Sequence, residues 1–223
     1  MIITIGIEKG GTGKSTCATN IAVYFSIAGK DVAILDADIQ GTASDWMTTR
    51  EQSIVEGCDI PHVDVFIQNK EIDKIAKRLS NKYDIVIIDV GGQAGRALGA
   101  ALLCSDIIYM PVRPSQADLW TLDKMETLVD NAKGINPKLN SYVFLSQAPT
   151  HPTFIETNLA SEYIKDFENL KLSSATISER KAFRDAMLEG KSVLEMKDQK
   201  AKNEITKLAS EIEGHIYDKS KNI

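Results

Sequence analysis

The chain has 223 residues, of which 43% are hydrophobic and 26% are charged. These are ordinary values for a globular protein, so the composition excludes the collagen-like, disordered and membrane-bundle classes. The formal net charge of -5 excludes a protein whose whole surface is cationic for nucleic-acid binding, although a local basic face remains compatible with it. At about 150 residues per domain, the length predicts one domain over 1–223 with elaborations.

The first segment, Met1 to Ile7, is apolar but spans only seven residues before Glu8, which is too short for the hydrophobic part of a signal peptide. No apolar run approaches the roughly eighteen residues that a membrane span needs. Cysteines occur without a C-x-x-C pair, so neither a zinc site nor a disulfide framework is predicted. These features predict a cytoplasmic protein with free thiols and without stable membrane insertion.

Short blocks rich in β-branched residues alternate with helical patterns along the chain. Strands that are apolar on both faces are typical of a parallel sheet covered by helices. The alternation predicts an α/β fold, doubly wound, with a mostly parallel sheet and helices on both faces. The predicted strands are Ile2 to Ile7, Val32 to Leu35, Val63 to Ile67, Ile85 to Ile88, Ile107 to Met110 and Tyr142 to Leu145, and the helical stripes lie within Cys17 to Phe25, Ile72 to Leu79 and Leu119 to Ala132.

From about residue 178 the pattern turns helical. One helix is predicted from Ser178 to Gly190 and another from Gln199 to Tyr217. Docking of the last helix onto the sheet is the favoured interpretation, and a membrane-surface helix is the alternative, which the glutamates of its polar face disfavour. The apolar face of this helix consists of Ile205, Leu208, Ala209, Ile212 and Ile216.

The first predicted strand runs directly into a glycine-rich turn that is followed by a helix. This context is typical of a phosphate-binding loop, because glycines let backbone N–H groups surround phosphate oxygens and the helix N-terminus adds positive potential. We expect Lys14 to neutralise the outer phosphates and the Ser15 hydroxyl to ligate Mg²⁺. The predicted nucleotide-binding residues are Lys9, Gly10, Gly11, Thr12, Gly13, Lys14, Ser15 and Thr16.

Two aspartates, Asp36 and Asp89, follow apolar strands, and the carboxyl ends of parallel strands open on the edge of the sheet where ligands bind. An uncompensated carboxylate at the end of an apolar strand is costly, so Asp89 is interpreted as a magnesium ligand, with a helix-capping role before Gly91 as the alternative. We assign Asp36 to the outer shell of the magnesium ion. Asp38 is assigned to positioning the attacking water, with a turn cap as the alternative.

The strict phosphate-loop pattern fails because Glu8 stands where a glycine is expected. The K-G-G-x-G-K-S segment from Lys9 to Ser15 instead resembles the deviant Walker A motif of the ParA/MinD family of ATPases. Asp36 to Gly41 is similar to the D-x-D-x-Q-G segment of that family, and Ile85 to Asp89 is similar to its Walker B strand. The layout looks most like the small, ParF-like plasmid-partition proteins, which begin directly with the first strand.

The resemblance implies an ATPase that needs Mg²⁺ and converts ATP and water to ADP and phosphate. It implies that Lys9 serves the nucleotide of a partner subunit, so that ATP drives homodimer formation; a solvated loop lysine is the alternative. No cis arginine finger is evident in the sequence, so the basal rate is expected to be slow. Gln147, after the last predicted strand, is the candidate for reading the nucleobase.

Family resemblance also implies that the ATP dimer binds DNA without sequence preference, on the nucleoid, and that a ParB-like centromere-binding or adaptor protein triggers hydrolysis. The range 178–202 holds seven basic and five acidic residues. Arg180, Lys181 and Arg184 can share one helix face and are the candidate DNA contacts, with a solvated face as the alternative. A MinD-like membrane-cycling ATPase or a protein-cargo-positioning ATPase is the alternative function.

Overall fold

The computed structural model describes residues 1–92, 95–150 and 155–220, with side chains as far as residue 215. Its strands are short, and those at the centre of the sheet are buried along their whole length. The strands are β1 Ile2–Ile5, β2 Val32–Asp36, β3 Asp64–Ile67, β4 Ile85–Asp89, β5 Ile107–Val112, β6 Asn140–Ala148 and β7 Lys171–Ser178.

The seven strands form one sheet in the order β3-β2-β4-β1-β5-β6-β7, and all neighbouring pairs run parallel. The register sets Asp36 at the end of β2 directly opposite Asp89 at the end of β4, and Ile5 at the end of β1 lies opposite Asp89 on its other side. The carboxyl ends of the three central strands therefore meet at one edge of the sheet, as the sequence predicts.

Helices connect successive strands, as right-handed crossovers between parallel strands require. In chain order, the helices are α1 Lys14–Ile27, α2 Thr42–Val55, α3 Ile72–Leu79, α4 Gly95–Leu102, α5 Gln116–Leu119, α6 Thr121–Lys133, α7 Ile155–Lys165, α8 Lys181–Leu188 and α9 Gln199–Ser220, with a short 3-10 helix Val193–Glu195 between the last two.

The sheet separates two apolar cores. Along β4, Ile85 and Ile87 face the core that α1, α2, α8 and α9 cover, whereas Val86 and Ile88 face the core that α3, α4, α6 and α7 cover. Alternate side chains of a strand point to opposite faces, so a strand buried on both faces reads as a continuous apolar run. The doubly wound α/β fold with helices on both faces is confirmed.

Strand β7 is absent from the sequence prediction, which has the chain turn helical near Ser178. Only alternate residues of β7 are buried, among them Ala175 and Ile177, and serines occupy much of the strand. An edge strand with polar residues carries a weak apolar signal. Ser178 is therefore the last residue of a strand, and the following helix begins at Lys181.

The last helix docks onto the sheet, as predicted. The side chains of Ile205, Leu208 and Ile212 are fully buried in the same core as α1. The hydroxyl of Tyr24, on α1, donates to Glu213 over 3.0 Å, so polar contacts join the two helices as well. Among the described residues, no helix combines the length and the apolar character needed to cross a bilayer.

Candidate functional site

The phosphate-loop candidate lies between β1 and α1, at the edge of the sheet where the aspartates end their strands. Gly11 and Gly13 have φ angles of 70° and 89°, in the left-handed region that favours glycine. This backbone turns residues 9–13 around a cavity of about 680 Å³, which Gly10, Gly11, Lys14 and Asp38 help to line. The first turn of α1 opens toward the same cavity, and backbone N–H groups with this placement are suited to hold an anion.

Lys14 is 6% exposed, and its Nζ donates to the Lys9 carbonyl over 2.5 Å. Burial lowers the pKa of the Lys14 ammonium, and the neighbouring carboxylates of Asp89 and Asp38 oppose this shift. The Lys14 ammonium is therefore a buried cation at the cavity wall, bonded to a backbone carbonyl and within the electrostatic range of Asp89 and Asp38.

Asp89 is fully buried, and neither of its carboxylate oxygens has a hydrogen-bond partner among the described residues. Burial is the main cause that raises the pKa of this carboxyl to about 7; the nearby Asp36 acts in the same direction, whereas the Ser15 hydroxyl and the Lys14 ammonium act against it. A helix cap would show a bond from a backbone N–H to the carboxylate, and within residues 1–92 and 95–150 no such bond supports the capping alternative. Two unpaired oxygens beneath a phosphate loop fit a hard divalent cation such as Mg²⁺.

Asp36 is also fully buried, but its oxygens are already engaged. One oxygen accepts from the Asp38 N–H over 3.1 Å, and the other accepts from the Ser44 N–H over 3.0 Å and from the Ser44 hydroxyl over 2.7 Å. Asp36 therefore fixes the segment that leads into α2, and only Asp89 of these two strand-end aspartates presents oxygens without partners. An outer-shell role for Asp36 remains a prediction.

Asp38 differs from Asp36 because its side chain lines the cavity. Its Oδ1 accepts from the Gln40 N–H over 3.0 Å, which is the turn-cap contact considered as the alternative. The two assignments are compatible, because a carboxylate that accepts one backbone bond keeps its second oxygen for another partner.

Lys9 lies at the entrance of the loop, and its Nζ is 3.5 Å from Asp118 Oδ1 in α5. The lysine side chain is 40% exposed, whereas the Asp118 side chain is 7% exposed. Asp118 is itself held by Ser115, whose hydroxyl donates to Asp118 Oδ2 over 2.6 Å. In the single chain, the second loop lysine is therefore paired with an aspartate that the sequence analysis did not identify.

Gln147, at the end of β6, donates from its side-chain nitrogen to the Gly11 carbonyl over 3.0 Å. Its Oε1 and its second N–H are left for a nucleobase, and this contact remains a prediction. Arg113, directly after β5, donates to the same Gly11 carbonyl. The sequence analysis did not identify Arg113 as a contact of the phosphate loop.

A second cavity of about 690 Å³ adjoins the first, and Gly13, Thr16 and Gln147 line both. Its exposed wall is largely apolar, although Arg180 and Arg184 also line it, and it comes from α1, α2, β6, β7 and α8. The sequence analysis, which found no β7, did not anticipate this cavity. The apolar lining residues are Cys17, Trp46, Ile177, Phe183, Met187 and Leu188.

The three DNA-contact candidates are all paired with acids. Arg180 lies before the first helical residue of α8 and donates to Glu204 of α9 over 2.7 Å, with an 18% exposed side chain. It therefore does not share a solvent-facing helix face with Lys181 and Arg184. Lys181 and Arg184 are more exposed, and they lie 3.1 Å from Asp185 and 3.6 Å from Glu179.

Comparison with known proteins places this geometry in a family. Residues 3–193 match the CobQ/CobB/MinD/ParA nucleotide binding domain. The chain is 29% identical over 210 residues to the maintenance of carboxysome distribution protein A of Halothiobacillus neapolitanus, which covers 92% of each chain. It is 22% identical over 199 residues to the sporulation initiation inhibitor protein Soj of Bacillus subtilis, which covers 74% of this chain and 78% of Soj.

Solved structures share the fold. Apo McdA of Cyanothece superposes with a TM-score of 0.76 at 15% identity, over 94% of this chain and 98% of McdA. A putative plasmid partition protein of Borrelia burgdorferi B31 bound to AMPPNP superposes with a TM-score of 0.71 at 21% identity, over 98% of each chain. The chain therefore belongs to the CobQ/CobB/MinD/ParA family of nucleotide-binding domains.

Proposed function

We propose that this protein is an ATP-dependent dimerising switch of DNA partition, an ATPase whose ATP-bound dimer binds DNA and is released by partner-stimulated hydrolysis. The observation that carries the proposal is the presence of two lysines on one phosphate loop. Lys14 is buried beneath the cavity, whereas Lys9 lies at its entrance, with its Nζ 3.5 Å from Asp118. One lysine suffices for the bound phosphates, so the second is available to a facing subunit.

Each residue of the site has a proposed task. The backbone N–H groups of residues 10–16 and Lys14 bind the phosphates, while Ser15 and Asp89 hold Mg²⁺. When bound, Mg²⁺ neutralises charge on the outer phosphates. Asp38, which lines the cavity, orients the attacking water through its free oxygen.

The adjoining apolar cavity is proposed to take the base and ribose of ATP. Its apolar walls suit the faces of a purine ring, and Gln147 borders both cavities at the point where base and phosphates would separate. The order of the two cavities along the loop thus supports a nucleotide lying across the N-terminus of α1.

We expect the affinity for Mg²⁺-nucleotide to fall as the pH is lowered from 8 to 6. Cation binding needs the ionised carboxylate, and the pKa of Asp89 is raised to about 7 by burial. At pH 6, about one tenth of Asp89 would be ionised, so the magnesium concentration for half-maximal tightening of ADP binding should rise roughly tenfold. Fluorescent-ADP titrations with Mg²⁺ at both pH values measure this.

The nucleotide-free protein should show the opposite trend in stability. Because Asp89 keeps its proton in the folded state up to about pH 7 and the unfolded chain releases it near pH 4, stability is lost as the pH rises through this window. Asp89→Asn should remove both dependences. A magnesium requirement equal at pH 6 and pH 8 in the unaltered protein would contradict the role of Asp89.

DNA binding is proposed to use Lys181 and Arg184, the two exposed cations at the start of α8, from both subunits of the dimer. Four neutralised phosphates predict a slope of about −3.6 for log affinity against log salt. Lys181→Ala with Arg184→Ala should flatten this slope in an ATP-dependent gel-shift assay. The matched control is Lys77→Ala with Arg78→Ala, two exposed cations on α3. An equal slope in all three proteins would reject the patch.

Positioning of a protein cargo is the second candidate function. The observation that favours it is the similarity to the maintenance of carboxysome distribution protein A, which extends over 92% of both chains. A deletion strain distinguishes the two candidates, because loss of plasmid copies supports partition, whereas clustering of a protein assembly with stable plasmid copy number supports cargo positioning.

Gel filtration with light scattering tests the switch itself. The protein should elute as a monomer with ADP and as a dimer with ATP and Mg²⁺, and Asp38→Ala should prolong the dimer because hydrolysis is slowed. A monomer under every nucleotide condition would overturn the proposal.

A further inference from the structure

Some backbone carbonyls of the phosphate loop need hydrogen-bond donors that lie outside the loop. A loop that surrounds an anion with N–H groups turns its carbonyls to the outside, and each buried or half-buried carbonyl needs a donor. Without donors, the carbonyl oxygens can rotate toward the phosphates, where two negative partners would repel each other. The donors that bind the loop carbonyls therefore affect how strongly the loop binds an anion.

Within residues 9–13, which precede α1, three carbonyls accept from described side-chain donors. The Lys9 carbonyl accepts from Lys14 of the loop itself, and the other two accept from outside it. The Thr12 carbonyl accepts from the Ser146 hydroxyl over 2.8 Å. The Gly11 carbonyl accepts two bonds, one from the Gln147 side-chain nitrogen over 3.0 Å and one from an Arg113 guanidinium nitrogen.

These external donors sit on the framework of the sheet. Arg113 follows β5 directly, and Gln147 belongs to β6, which pairs with β5. Gln147 adopts a φ of 51°, a left-handed backbone conformation that residues other than glycine rarely adopt. Such strain persists only where the surroundings impose it, and it occurs preferentially at functional sites.

The donors pack tightly against the glycines of the loop. A Cβ at Gly13 would lie 3.2 Å from the Ser146 Oγ and 3.6 Å from the Gln147 Nε2, and a Cβ at Gly11 would lie 3.3 Å from an Arg113 guanidinium nitrogen. The loop and its donors thus form one packed unit.

We propose that Arg113 and Gln147 act as a pair of positioning residues that hold the Gly11 carbonyl away from the phosphates, so that the loop is set for anion binding before the nucleotide arrives. The inference rests on the proposed ATPase function and names residues that deepen it. Arg113 supplies a charge-assisted bond and Gln147 a neutral one, so Arg113 is the stronger of the two. Both act through the loop and need no contact with the substrate.

A double-mutant cycle tests the pair, with calorimetric titration of tripolyphosphate and of ATP. Tripolyphosphate has no base, so any contact of Gln147 with a nucleobase cannot contribute. We expect Arg113→Ala to weaken tripolyphosphate binding by about tenfold or more and Gln147→Ala by about threefold, from the usual strengths of charged and neutral hydrogen bonds. Because both donors serve one carbonyl, the double variant should exceed the product of the single effects by about threefold or more.

The matched control is Arg78→Ala, which removes an exposed arginine from α3 and should leave binding unchanged. Effects that simply multiply would mean that Arg113 and Gln147 act independently, and this would overturn the inference, as would unchanged binding in both single variants. A fall in melting temperature without a change in affinity would assign them a merely structural role and overturn it too. If the double alanine variant does not fold, Arg113→Lys and Gln147→Ser complete the same cycle.

The result also separates this inference from the proposed function. If the unaltered protein binds ATP and dimerises, but the affinity losses of the two single variants simply multiply in the double variant, only the positioning role fails. If the unaltered protein binds neither ATP nor tripolyphosphate, both fail.

Discussion

Lys9→Ala should abolish the ATP-dependent dimer while leaving ATP binding by the monomer within about threefold of its original affinity, since the loss of an exposed charge costs the monomer little. The Lys9 side chain is 40% exposed, and its acidic contact, Asp118, lies at 3.5 Å, so the lysine contributes little to the loop of its own subunit. At a closed interface it would face the phosphates of the second subunit, where water is excluded and charge pairing is stronger. Light scattering of the protein with ATP and Mg²⁺ measures the dimer.

Lys30→Ala is the matched control for this result. Lys30 is an exposed lysine that precedes β2 at the opposite edge of the sheet, and its loss should not affect the dimer. Dimerisation of Lys9→Ala equal to that of the unaltered protein would remove the trans role of Lys9. The lysine would then be a solvated loop residue, and the protein would hydrolyse nucleotide without a dimer switch.

Gly92→Ala should impair nucleotide binding severely although Gly92 lies outside the phosphate loop. A Cβ at Gly92 would lie 2.6 Å from the Gly10 nitrogen and 2.7 Å from the Lys9 carbonyl carbon, and both are backbone atoms. The loop would have to shift, and overpacking of this kind typically costs 1–3 kcal/mol, which corresponds to roughly a 5- to 150-fold loss of affinity. Isothermal titration with ADP and ATP measures the loss.

Gly99→Ala provides the comparison, because a Cβ at Gly99 in α4 meets nothing within 4 Å. Alanine is the better helix former, so this variant should keep full nucleotide binding and gain a little stability. Equal nucleotide affinities for the two variants would show that the segment after β4 yields easily and does not constrain the phosphate loop.

The chemistry at the ends of the first strands was predictable from the sequence because it depends on local order. The glycine-rich segment follows a strand and precedes a helix, and Asp89 ends an apolar strand, so the rule for parallel sheets brings them together without further information. The register of Asp36 opposite Asp89 agrees with that expectation.

Contacts between distant segments were not predictable in the same way. Asp118 beside Lys9 and Arg113 beside Gly11 come from the loop and helix after β5, and no local pattern in either segment indicates its partner. Strand β7 was missed because its serines weaken the apolar alternation that the buried residues Ser173, Ala175 and Ile177 follow. The apolar cavity beside the loop, which β7 helps to line, was missed for the same reason. Asp36 looked like Asp89 in sequence, and only the hydrogen bonds from Ser44 distinguish them.

The docking of α9 against α1 has a consequence for synthesis on the ribosome. Helix α1, which carries the end of the phosphate loop, ends at Ile27 and is therefore made roughly 180 residues before Ile205 and Leu208, which cover it. At 5–20 residues per second, the interval is roughly 10 to 35 seconds. During this time the face of α1 that α9 covers lacks its apolar partner, so the helix that follows the phosphate loop reaches its final packing only after α9 has been synthesised.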